Sequence, residues 1–289
     1  MADHRSKGLN SERIFLYAVL LFLALLFLLP VYIMVSNSFK PLDEIHSGNL
    51  MALPEVWTVE PWFTAWSTAQ IGVQPTGLKP YFVNSFLLVV PAVAISTLIG
   101  ALNGYILTQF RFRGAHVLFA AMLFSVFIPF QIVLIPMAKT LGVLGLAGTV
   151  GGLVFVNVVY GIGFTTLFFR NYYAAFPHEL VRSARMDGAG FFGVLFRILL
   201  PNSAPIIIVT VIWQFTNIWN EFLFGASFSD FDSFPLTVAL NNLVNSSTGV
   251  KEYNVHFAGA FIAAIPTLVV YLVSGKYFVR GLMAGSVKG

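Results

Sequence analysis

A chain of 289 residues that is 57% hydrophobic and only 10% charged is far from a water-soluble globular domain, whose charged share is roughly 25%. Its mean hydropathy of +0.82 marks an integral membrane protein. Cysteine is absent, which excludes disulfides, thiol catalysis and cysteine-ligated metals. The net charge of +4 invites a nucleic-acid reading, but the placement of that charge argues against one.

Residues 1–12 are polar and carry Arg5 and Lys7; Ile14 to Val35 then runs 22 residues without a charge, enough to cross a bilayer. A cleaved signal peptide has a shorter apolar core, about 7–15 residues, ending at an A-x-A-like site. No such site follows, so a retained first helix is expected. Residues 36–80 form a polar loop with Asp43, Glu44, Glu55 and Glu60, several prolines, and interleaved Trp57, Trp62, Phe63 and Trp66. Two readings stand for its aromatics: a belt at the membrane interface, or a docking surface for an external protein.

A second span is expected over Tyr81 to Phe110, with Gly100 and Gly104 spaced for close helix packing. A short basic turn with Arg111 and Arg113 leads to a third span, His116 to Ala138, kinked at Pro129 and Pro136 with Gln131 between them. The fourth, Ala147 to Phe169, contains Asn157 and Tyr160. After a long non-membrane stretch the fifth span covers Ile206 to Ala226, and Trp213, Asn217, Asn220 and Glu221 recur on one helical face. Trp219 adds another ring nearby. This face either hydrogen-bonds to neighbouring helices or, since amides, carboxylates and aromatic faces suit a sugar, lines a solute path. A second polar loop over residues 227–256 precedes a sixth span, Phe257 to Val279, and a short tail with Arg280 and Lys288. Of the 16 Lys and Arg, 12 fall on the side of the termini and the long stretch, whereas Lys40, Lys79, Lys139 and Lys251 fall opposite. The positive-inside tendency therefore puts both termini in the cytoplasm. The asymmetry reads as topology, not as a nucleic-acid surface.

The long stretch, Pro177 to Pro205, reads as a bent knob. Proline suits the first turn of a short helix to Met186, whose Leu180 and Ala184 share a face, and Gly188 supplies the left-handed residue that ends it. A second apolar helix, Phe191 to Leu200, is expected to stop at Pro201.

This stretch resembles the EAA loop of binding-protein-dependent ABC importers, a pattern of E-A-A, glycine and I-x-L-P. Ala184 stands at its second alanine, Gly188 at its glycine, and Ile198, Leu200 and Pro201 at its end; Pro177, Glu179, Leu180, Asp187 and Ala189 match the sugar-importer version. Arg182 and Ser183 depart from it, replacing the Glu and the first Ala. The resemblance covers roughly residues 80–280. It implies an all-α membrane protein of six transmembrane helices with the type I ABC importer permease fold, in which Glu179, Arg182, Ala184, Arg185, Asp187, Gly188 and Ala189 form a cytoplasmic coupling helix. The organisation expected is residues 1–80 for the tail, first helix and external loop, residues 81–280 for the permease core with its coupling loop at 170–200, and residues 281–289 for a second tail. The resemblance further implies a bacterial inner membrane location, a second and non-identical permease subunit, two ATPase subunits that bind ATP and Mg, and an extracytoplasmic sugar-binding protein. The loop version looks closest to carbohydrate permeases of the glucose/mannose type.

The chain lacks an engine of its own. No G-x-x-x-x-G-K-[ST] phosphate loop occurs, and the G-x-G-x-x-G run from Gly188 to Gly193 follows no strand, so it does not read as a dinucleotide site. His4, His46, His116, His178 and His256 are scattered, without ligand spacing, and no nucleophile–base grouping is present; neither a metal site nor an enzyme is expected. Asn245-Ser246-Ser247 is a coincidental glycosylation triplet. A stand-alone secondary transporter is the second functional reading, although such folds place ion sites and repeats at the midplane that are not visible here.

Overall fold

In the computed structural model, residues 11–110, 112–245 and 251–284 are described. His4, Arg5, Lys7, Arg111, Ser246, Ser247 and Lys288, which entered the readings above, lie outside them. The elements are α1 (Ser11–Ser38), α2 (Leu42–His46), α3 (Glu60–Ser67), α4 (Lys79–Gln109), α5 (Ala115–Val126), α6 (Phe130–Val143), α7 (Val150–Ala174), α8 (His178–Met186), α9 (Phe191–Val194), a π-turn (Leu195–Leu199), α10 (Leu200–Asn202), α11 (Ala204–Trp219), α12 (Leu223–Phe228), a 3₁₀ turn (Phe231–Ser233), α13 (Leu236–Asn245) and α14 (Tyr253–Ala284). No β-strand occurs among the described residues. Four helices are long and apolar enough to cross a membrane: α1, α4, α7 and α14. Two bent pairs, α5 with α6 and the segment Phe191–Asn202 with α11, bring the number to six when each counts as one span.

The chain divides into two compact units, Met1–Gly77 with Leu243–Ile262, and Leu78–Asn242 with Ala263–Gly289. In the first, the apolar side chains of α1 are exposed, a surface suited to lipid or to another chain. The loop after α1 is a folded cap. Lys40 is fully buried there: its Nζ donates to the Asn49 carbonyl at 3.0 Å and lies 3.8 Å from Glu44 Oε1, and its carbonyl accepts from Asn254 Nδ2 at 3.1 Å. Phe39 packs against Trp57 and Trp62, with centroids 5.9 and 5.3 Å apart, and Trp62 meets Phe261 at 5.6 Å. Trp57 and Phe63 remain largely exposed. The four-aromatic set of the sequence therefore splits, with Trp62 and Trp66 half-buried and Trp57 and Phe63 outside.

The second unit is built on the α4–α7 pair. Gly100 and Gly104 make that contact: a Cβ on Gly100 would fall 2.5 Å from Thr165 Cβ, and one on Gly104 would fall 2.7 Å from Phe169 Cβ. Real Cβ atoms do not approach so closely, so the two backbones meet only because both positions lack a side chain.

Two spans and the second helix of the knob depart from their expected shapes. The third is broken, not merely kinked, with α5 and α6 meeting at 103°. Pro129, at φ −58° and ψ 130°, is the N-cap of α6, and an X-Pro step disfavours continuing the preceding helix. Pro136 sits inside α6 without ending it. The second helix of the knob runs past Pro201 to Asn202, because the π-turn widens the ladder just before the proline, and Asn202 and Ser203 side chains donate to the Ile198 and Leu199 carbonyls at 2.7 and 2.6 Å. The fifth span stops at Trp219, seven residues short of Ala226, and a new short helix begins at Leu223.

Candidate functional site

The elbow between α7 and α11 is shaped by one glycine. Gly188 has φ +84°, its N–H donates to the Arg185 carbonyl at 3.1 Å, and the Ala189 N–H donates to the Ala184 carbonyl at 2.9 Å. These two bonds close a Schellman turn with Gly188 at C′. Nothing lies within 4 Å of a Cβ built at Gly188, so conformation alone, not space, selects glycine there.

One side of α8 is anchored. Val181 (1% exposed) and Ala184 pack with Tyr105, Phe169, Tyr173, Val194, Leu195 and Leu199, a core shared with α4 and α7. The expected pairing of Leu180 with Ala184 is thus corrected to Val181 with Ala184, since Leu180 is 49% exposed. Further ties fix the elbow: Tyr172 Oη donates to the Asn202 carbonyl at 2.7 Å, Gln109 Nε2 lies 3.2 Å from His178 Nδ1, and the Arg185 guanidinium lies 5.3 Å from the centre of the Phe110 ring. Of the sequence-chosen loop residues, Glu179, Arg182, Arg185, Asp187 and Gly188 face outward, whereas Ala184 is buried and Ala189 half-buried against the core. Met186, 88% exposed, and Leu180 also stand uncovered on α8. Neither was singled out from sequence as an outward contact. An exposed methionine on a helix whose other side is well packed suits a protein partner.

The second candidate is a cleft between α5, α6, α7, α11 and α12, about 110 Å³ in volume. Trp213, Asn217 and Glu221 line it with Asn157, Tyr160 and Gln214. Asn217 Nδ2 donates to the Trp213 carbonyl at 2.8 Å, and Trp213 contacts Phe164 with centroids at 5.3 Å. Two members of the sequence set stand elsewhere. Trp219 is only 2% exposed, packs edge-on to Phe82 and Phe86, and donates from Nε1 to the Ala263 carbonyl at 2.9 Å. Asn220 is exposed and donates to the Thr216 carbonyl at 2.8 Å. Glu221 lies past the end of α11, so it does not continue that helical face; its carboxylate accepts from the Phe224 and Gly225 N–H groups at 2.7 and 3.2 Å and caps α12. Gln214 was missed from sequence: nearly buried, it donates to Ser96 Oγ at 2.8 Å. It follows Trp213 directly, but nothing local distinguishes it. Phe130, Tyr160 and Phe224 close one end of the cleft, each pair of rings 4.9–5.1 Å apart.

The chain is thus a helical membrane protein whose spans are joined by a packed, outward-facing elbow. Residues 81–282 match the family model described as binding-protein-dependent transport system inner membrane component, and the chain belongs to that family. It is 36% identical to a probable ABC transporter permease protein of Pyrococcus horikoshii over 98% of this chain and 100% of that protein. It is also 30% identical to the xylose/arabinose import permease protein XacI of Haloferax volcanii over 96% of this chain and 94% of that one. Among solved structures, a chain of a bacterial ABC transporter involved in the import of the acidic polysaccharide alginate superposes with a TM-score of 0.80 at 21% identity, covering 96% of this chain and 100% of that chain. The fold is that of a type I ABC importer permease, and with the family membership the stand-alone transporter reading falls away.

Proposed function

We propose that this chain is one permease subunit of an ATP-driven carbohydrate importer in the cytoplasmic membrane. The observation that carries the reading is the Gly188 elbow: a rigid, core-anchored projection whose outer face, with Leu180, Met186 and the charged residues around them, suits a motor protein. ATP and Mg then belong to two ATPase subunits, because the chain has no phosphate-binding loop. A second, non-identical permease completes the path, and an extracytoplasmic sugar-binding protein delivers the solute; the family's description as a binding-protein-dependent system supports the second of these partners. The excess of Lys and Arg on the elbow side supports cytoplasmic placement of both termini and the elbow.

Movement of the motor subunits shifts the elbow, and α4, α7 and α11 follow through the shared core. Trp213, Asn217 and Glu221 line the part of the path contributed by the polar cleft. At about 110 Å³ the cleft is smaller than the roughly 300 Å³ at which small-molecule pockets begin, so passage requires it to widen. Relatives named for xylose/arabinose and alginate support carbohydrate as the class; within it, the loop resemblance points to glucose or mannose.

The test is reconstitution of the chain with its co-purifying subunits in proteoliposomes. ATP-dependent uptake of labelled glucose or mannose, stimulated by a binding protein, is the expected result. Uptake of xylose alone would overturn the hexose assignment. Transport by the isolated chain without ATP, or labelling of an Arg185→Cys variant only from outside the cell, would overturn the whole reading.

A further inference from the structure

A second cleft of about 360 Å³ lies where α4 ends, α5 begins and α7 approaches its C-terminus. Leu107, Thr108, Phe110, Phe112, His116, Phe119 and Arg170 line it. Arg170 stands four residues before the end of α7 at Ala174, about 6 Å of helix rise from it. Its guanidinium lies over the Phe119 ring at 4.2 Å from the centroid. Among the described residues no carboxylate pairs with Arg170, and no acidic side chain lines the cleft. A permanent cation near the end of a membrane span, held on an aromatic face and left without a counter-ion, marks a site for an anion.

We infer that this cleft binds the phosphate headgroup of an anionic phospholipid, with Arg170 as its principal ligand and His116 beside it, the Thr108 hydroxyl being held by the Gly104 carbonyl at 2.8 Å. The planar guanidinium is suited to two phosphate oxygens at once. The lining distinguishes lipid from a free anion: Phe110, Phe112 and Leu107 surround the polar groups, and Phe110 and Phe112 are exposed. Inorganic phosphate gains nothing from such rings, whereas the glycerol and first methylenes of a lipid bury against them. The depth of Arg170, just inside a helix end, matches a headgroup region. Phe110 is also the ring under Arg185, so the site adjoins the elbow. The inference needs only that α4 and α7 cross a membrane with α5 beside their ends, and it is independent of the carbohydrate and motor assignments.

The experiment titrates the detergent-purified full-length chain, with any subunits that accompany it, with phosphatidylglycerol, phosphatidylcholine or inorganic phosphate, reading the thermal unfolding midpoint. Phosphatidylglycerol should raise it saturably. Arg170→Gln should weaken the apparent affinity about tenfold, the effect of losing one charge-assisted hydrogen bond. Equal shifts for phosphatidylcholine, or identical phosphatidylglycerol curves for the wild type and Arg170→Gln, would overturn the site. Inorganic phosphate matching the lipid would overturn the lipid source. If Arg170→Gln does not yield folded protein, a photoactivatable phosphatidylglycerol applied to the wild type decides: labelling concentrated on the peptides holding Leu107–Phe119 and Arg170 supports the site, and labelling spread evenly over the spans refutes it.

Discussion

The Arg185 guanidinium lies over the ring of Phe110, 5.3 Å from its centre, and so joins the elbow helix to the end of α4. Phe110 meets Tyr105 and Phe191 at 5.5 and 5.7 Å, which extends this tie into the core beneath the elbow. An exposed cation–π contact contributes about 0.5–1 kcal/mol, too little to hold the fold and enough to bias a moving joint. Arg185→Ala should therefore leave the unfolding midpoint nearly unchanged while lowering binding-protein-stimulated ATPase activity of the assembled transporter. Phe110→Leu should do the same, and the double variant should lose no more than either alone. Additive losses would separate the two residues.

Gly188 is tested by conformation. Left-handed backbone costs most L-residues about 1–2 kcal/mol, asparagine less, and β-branched residues most. Because no atom lies within 4 Å of a Cβ at Gly188, any loss reflects φ and not collision. Gly188→Asn should retain most transport, and Gly188→Val should lose it while still inserting in the membrane. Full coupled ATPase activity in Gly188→Val would remove the glycine from the coupling role.

Met186 and Leu180 should contact the motor subunit directly. Met186→Glu adds a charge to a side chain that is 88% exposed, so the chain itself should fold normally. Co-purification of the ATPase through detergent should fall sharply, and Leu180→Asp should reproduce the effect. Undiminished co-purification in both variants would move the docking surface elsewhere.

The polar cleft separates residues that sequence grouped together. Asn217→Leu should reduce uptake with assembly intact. Glu221→Ala removes the cap of α12 and should cost about 1 kcal/mol, visible as a lower unfolding midpoint as well as reduced uptake. Trp219→Ala should cost about 3–5 kcal/mol and deplete folded protein, as expected of a core ring. Measuring uptake per assembled complex distinguishes the three. Normal uptake kinetics in Asn217→Leu would remove the cleft from the solute path.

What the sequence by itself determined is local in origin. Charge-free length placed α1, the fall of Lys and Arg set an expected sidedness, and Gly188 announced its turn because a left-handed residue is chosen by its own φ. The small spacing of Gly100 and Gly104 likewise pointed to a close helix contact, and that contact is made by α7. Only the tertiary structure decided which face of α8 is covered, so that Val181 and not Leu180 is inside, and that Trp219 belongs to a core while Trp213 borders a cleft. It also decided where α11 ends and that Gln214 reaches Ser96, a partner 118 residues away. On the short α8, Leu180 and Val181 are adjacent apolar residues between which no local pattern chooses; for the spans, lipid accepts apolar side chains as readily as a protein core does, so a membrane helix need not show an apolar stripe. Its buried side is then chosen by neighbours distant in sequence, through close fit and hydrogen bonds that no local pattern encodes.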